Sequence, residues 1–135
     1  MYKNILVPIA LDHRPTIKDA LDAANLLLSD GGAITALNVR EVTPSYVEQY
    51  LPEGHAEQAV KELSVMMKSE LADAPHVKPV VISGHAAQSI LDYANAHEID
   101  CIVLASHDPG LQDYFLGSTA GRVVRHAHCA VHVVR

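Results

Sequence analysis

Apolar residues fall along this chain in two rhythms. Short, nearly unbroken runs occur at Lys3 to Pro8 (KNILVP), Ala33 to Val39 (AITALNV), Val77 to Ser83, Ile99 to Ser106 (IDCIVLAS) and Ala130 to Val134. Between them, apolar side chains recur at helical spacing: Ile17, Leu21, Ala24 and Leu28, then Val60, Leu63, Met67 and Leu71, then Ile90, Leu91 and Ala94. The runs predict buried strands and the spaced positions predict amphipathic helices. Gly31-Gly32 is read as the stop of the first helix, and Pro75 follows the second. Gly84 turns the chain into the third, and a fourth spans about Ser118 to His126. Pro79 assigns its strand to a sheet edge. Residues 40–54, with Pro44, Pro52, Gly54 and two tyrosines, read as one long irregular stretch.

The order β-α-β-α-β-α-β-α-β predicts an α/β protein, a doubly wound five-stranded parallel sheet with helices on both faces and right-handed crossovers. In such sheets ligands bind beyond the carboxyl ends of the strands, where the strand order reverses. The composition fits this picture. Hydrophobic residues make up 49% of the chain, but there are only five Tyr, one Phe and no Trp, so aliphatic side chains must fill the core. At 135 residues we expect a single domain, 1–135. The net charge of −6 argues against contact with a phosphate backbone, so no nucleic-acid partner is expected. No apolar run approaches membrane-spanning length and the first apolar run is too short for a secretion signal. With Cys101 and Cys129 read as reduced thiols, a cytoplasmic location is expected.

Candidate chemistry gathers at the carboxyl ends. Pro8, Ile9 and Ala10 end the first strand, Val39 the second, and Ala105, Ser106 and His107 the fourth, while Gly117, Ser118 and Thr119 open the last helix. A helix start offers unpaired N–H groups and the positive end of the helix dipole, which suit a phosphate. The same three residues are equally a plain helix cap.

The segments KNILVPI, VISG (81–84), IDCIVLASH and above all LGSTAGRVVRHAHCAVHVVR resemble the universal stress protein family, of the adenine-nucleotide alpha-hydrolase-like group, over essentially the whole chain. Pro109 and Leu116-Gly117-Ser118 resemble its F/G-type branch. The resemblance implies a Rossmann-like sheet of order 3-2-1-4-5 and a stress-response module or nucleotide-dependent switch that binds ATP with Mg2+. Val39 would meet the adenine through its backbone, and Pro8, Ile9 and Ala10 would flank base and ribose. Residues Ser106, His107, Asp108, Pro109 and Gly110 would wrap the phosphates, and Gly117, Ser118 and Thr119 would hold them from the helix end. It further implies a homodimer through the terminal strand, 130–134; the other reading has that edge covered by the 40–54 stretch.

The chain departs from the ATP-binding pattern. Ala105 and Asp108 stand where glycines are usual, the loop to Gly117 is one residue shorter, and Ala10 replaces an aspartate, with Asp12 the nearest carboxylate. Alanine at 105 is harmful only if that residue needs positive φ, whereas a carboxylate at 108 repels a triphosphate unless a metal intervenes. These departures support a second reading, a dimeric interaction protein of the same fold that binds no nucleotide.

Other constellations carry less. His126, His128 and His132 lie close in sequence but form no zinc-type quartet and read as surface histidines. Ser106-His107-Asp108 are consecutive, so their side chains diverge and cannot act as a hydrolytic triad. No catalytic residue is assigned, and turnover of ATP is expected to be slow at most.

Overall fold

The computed structural model describes residues 1–11, 15–42, 44–105 and 117–135, with residues 15 and 16 described by their backbone only. Ten elements follow one another: β1 (Tyr2–Pro8), α1 (Pro15–Leu27), β2 (Leu28–Glu41), α2 (Ser45–Glu48), α3 (His55–Glu70), β3 (Val77–Gly84), α4 (Ala86–Ala96), β4 (Cys101–Ala105), α5 (Ser118–His126) and β5 (Ala130–Val134). The strands form one parallel sheet of order β3-β2-β1-β4-β5, as the alternation and the resemblance imply.

The central strands show why both faces must be covered. Successive strand side chains point to opposite faces. Ile5 and Val7 of β1, with Cys101 and Val103 of β4, pack among Ile17, Ala20, Leu21 and Ala24 of α1 and Met67 of α3. Leu6 of β1, with Ile102 and Leu104 of β4, packs on the other face among Ile90, Leu91 and Ala94 of α4 and Val123 of α5. Ile5, Leu6, Val7, Ile102 and Val103 are wholly buried, which explains the unbroken apolar runs.

The first helix stops earlier than its periodicity implies. Leu28 opens β2, and Gly31 and Gly32 lie inside that strand instead of terminating the helix. The register explains this: Tyr2 pairs with Leu28 but Asn4 pairs with Ala33, so extra β2 residues bulge out against β1. Gly31 takes the left-handed conformation there, at φ 79°. A Cβ on Gly32 would fall 2.6 Å from Leu28 Cδ1 and 2.9 Å from the Lys3 carbonyl oxygen, so only glycine fits.

The 40–54 stretch is also less irregular than its composition implies. Arg40 and Glu41 continue β2, paired with Ser83 and Gly84 of β3. The single turn α2 follows, with Val47 and Glu48 N–H donating to the Pro44 carbonyl, and none of its residues is buried. Gly54 caps α3 in the left-handed conformation, φ 78°.

Pro79 lies on β3, which is an edge strand as expected, beside the exposed Lys78. β5 forms the opposite edge and carries neither proline nor lysine. β4 begins at Cys101, two residues later than its sequence run, because Asp100 is otherwise engaged. Its carboxylate accepts the N–H groups of Lys3 (2.9 Å) and Asn4 (3.0 Å) and so pins the start of β1. Among the described residues, no helix is long and apolar enough to cross a membrane.

Candidate functional site

Consecutive strands run outward from β1 in opposite directions, β2 on one side and β4 on the other, and the crevice above this switch point is where a doubly wound sheet binds ligands. A cavity of about 450 Å³ occupies it, a volume suited to a small organic ligand. Its walls come from six elements. The end of β1 and its continuation contribute Pro8, Ile9, Ala10 and Leu11, and α1 contributes Ile17 and Ala20. β2 supplies Leu37, Asn38, Val39 and Glu41, α4 supplies Ala86 and Ile90, and β4 supplies Leu104 and Ala105. Gly117, Ser118, Thr119 and Ala120 close it from α5.

Most of the residues singled out from sequence therefore meet around one space: Pro8, Ile9, Ala10, Val39, Ala105, Gly117, Ser118 and Thr119. Ser106, His107, Asp108, Pro109 and Gly110, with Asp12, lie outside the described residues. Ala105 carries no backbone strain, since Glu98 is the only non-glycine residue of positive φ among those described. The methyl group that replaces hydrogen there is tolerated by the strand.

The floor is fixed by a buried amide that sequence reasoning passed over. Asn38, almost fully buried, donates from Nδ2 to the Ile9 carbonyl at 2.8 Å, while Ile9 N–H donates to the Leu37 carbonyl at 2.8 Å. The residue after β1 is thereby held to β2, and Ile9 and Leu11 turn into the core while Ala10 faces outward. A lone Asn in the run AITALNV was the available signal. The apolar lining from Leu37, Ile90 and Leu104 could not be found from spacing, because those residues also read as ordinary core.

Besides α1, which lines the cavity with Ile17 and Ala20, the N-terminal ends of α4 and α5 reach it, and these two differ. At α4, Glu41 Oε1 accepts the Ala86 N–H at 3.1 Å, and Oε2 lies 3.8 Å from His85 Nδ1. A carboxylate already occupies that dipole end. At α5 the cap is Gly117, which has no side chain to spend on the first turn, and Arg125 and His126 lie in the last turn. Among the described residues no side chain caps this positive end, and flanked by the Ser118 and Thr119 hydroxyls it is the one suited to an anion. Among the described residues no group of three or more His, Cys, Asp or Glu could hold a metal ion.

Neither cysteine serves this cavity. Burial pushes the Cys101 thiol up to about 11, with Cys129 and Asp100 adding to the shift. Burial raises Cys129 as well. Both are free thiols, and a raised pKa makes a poor nucleophile.

These features define a class: a doubly wound α/β protein with a small-molecule cavity at its switch point and an open helix end beside it. The chain belongs to the universal stress protein family, whose model matches residues 1–135. It is 28% identical to universal stress protein G of Escherichia coli O157:H7, over an alignment of 144 positions that covers both chains in full. The solved universal stress protein UspA from Lactobacillus plantarum is 29% identical, with a TM-score of 0.71 over 99% of this chain and 98% of that one. A universal stress protein solved in complex with cAMP shares the fold, with a TM-score of 0.72 over 99% and 97% of the two chains at 11% identity.

Proposed function

We propose that this universal stress protein binds an adenine nucleotide, ATP with Mg2+, in the cavity above the switch point. There it acts as a stress-response module or nucleotide-dependent switch. The observation that carries the reading is the open N-terminus of α5 at one end of an apolar cavity of nucleotide size. Phosphates lie against Gly117, Ser118 and Thr119, with the loop of Ser106, His107, Asp108, Pro109 and Gly110 around them. Base and ribose rest on Pro8, Ile9, Ala10 and Val39. The cAMP complex supports the reading to the extent that this fold accommodates an adenine nucleotide.

The magnesium ion enters with the nucleotide and is held by its phosphates, because the cavity wall offers only hydroxyls at the α5 end among the described residues. Hydrolysis is slow at most. The single domain works in the cytoplasm as a homodimer joined through β5, whose outer edge pairs with no other strand among the described residues.

The test is mass spectrometry of acid-denatured purified protein for released adenine nucleotide, with calorimetric titration of ATP and Mg2+. Binding at micromolar level that Gly117→Val abolishes supports the proposal. Gly117 has φ −57° and ψ 156°, so valine is compatible with the backbone and acts by crowding the anion site. If no nucleotide is released and no heat appears up to millimolar ATP, the second reading stands, a dimeric interaction protein without nucleotide. What favours that reading is Ala10, which lines the cavity without the carboxylate usual there.

A further inference from the structure

We propose that Glu41 is the specificity residue of the cavity, accepting a hydrogen bond from the exocyclic amine of adenine; this rests on the nucleotide reading and deepens it. The starts of α4 and α5 are unequal. Glu41 Oε1 accepts the Ala86 N–H at 3.1 Å, so the start of α4 already has its anion. A phosphate placed there would meet a like charge, whereas the first turn of α5 carries no acidic residue and, among the described residues, no side chain caps it. The ligand is therefore held in one polarity, its phosphate toward α5 and its opposite end toward Glu41.

The opposite end meets an acceptor. An ionised carboxylate can only accept hydrogen bonds, and each oxygen has more than one lone pair. Oε1 is engaged, but Oε2 lies 3.8 Å from His85 Nδ1, beyond hydrogen-bond distance, and the side chain is exposed at the cavity rim. The remaining lone pairs are available to a donor from the ligand. The lining beside Glu41 is apolar, from Leu37, Val39 and Ile90, so the group carrying that donor is a flat apolar ring. Scale agrees: β2 and β4 are two strand intervals apart across β1, roughly 10 Å, comparable to the reach from ring amine to phosphate in an adenosine nucleotide.

The experiment titrates the intact chain with ATP and with its 6-desamino analogue, purine riboside 5′-triphosphate, which lacks only that amine. The wild-type chain is expected to bind the analogue about tenfold more weakly. Glu41→Ala, checked for retained fold by circular dichroism, is expected to bind the two alike. His85→Ala, which leaves the carboxylate in place, is expected to keep the preference. Equal binding by the wild-type chain, or a preference that survives Glu41→Ala, overturns the role of Glu41 while leaving the nucleotide reading intact. A wild-type chain that takes up neither ligand overturns the nucleotide reading itself, and this inference with it.

Discussion

The side-chain amide of Asn38 donates to the Ile9 carbonyl across 2.8 Å, tying the second strand to the first residue beyond the first strand. That bond and the Ile9 N–H donating to the Leu37 carbonyl together fix the cavity floor, because the regular β1–β2 register ends at Pro8. Removing the amide leaves the Ile9 carbonyl without this donor in a buried place. Asn38→Ala is expected to cost about 1–3 kcal/mol in urea unfolding and to weaken nucleotide binding at temperatures where the variant remains folded. Unchanged affinity in a destabilised variant would show that the floor does not depend on this bond.

Gly31 and Gly32 separate two effects within one bulge. Alanine at 31 meets open space but must adopt φ 79°, at a cost of roughly 1–2 kcal/mol. Alanine at 32 must displace Leu28 or move away from the Lys3 carbonyl oxygen 2.9 Å away, a change expected to cost about 1–3 kcal/mol. Both variants should unfold at lower denaturant, and Gly32→Ala should also disturb the amide signals of Lys3 while Gly31→Ala leaves them in place.

The Cys101 thiol gives a stability signature at alkaline pH. Its folded pKa is raised from 9.0 to about 11, so the unfolded chain releases the proton first as pH rises. The contribution is fully present below pH 9 and is lost on passing through about 11. The difference in unfolding free energy between wild type and Cys101→Ala should therefore shrink by roughly 2–3 kcal/mol over that window. Parallel curves for the two proteins would contradict the assignment.

Ala105→Gly tests whether the missing glycine matters. Because Ala105 has no positive φ, restoring glycine relieves no strain. ATP affinity is expected to stay within about threefold, read by calorimetry beside the wild type. A gain of tenfold or more would mean that the methyl group itself obstructs the ligand.

The layout of strands and helices was legible because Ile5, Leu6, Val7, Ile102 and Val103 are covered from both faces, and such burial demands unbroken apolar runs. The meeting of Pro8, Val39, Ala105 and Gly117 followed from topology alone, since all lie at carboxyl ends or at the helix start beside them. The start of β2 was hidden. LSDGG carries ordinary turn residues, and only its pairing with Tyr2 across the bulge draws Leu28 into the sheet. Glu41 was hidden for another reason: its partner, the Ala86 N–H, lies 45 residues away and leaves no local trace.

The two sheet edges are unlike, and this bears on how copies can assemble. β3 carries the exposed Lys78 and Pro79, devices that discourage a further strand from adding. β5, Ala130–Val134, carries neither. A head-to-tail array would have to join β5 of one copy to β3 of the next, and that second surface is blunted. In the proposed dimer, joining β5 to β5 uses the more permissive of the two edges of each copy, so growth would terminate at a two-fold pair instead of extending into a fibre.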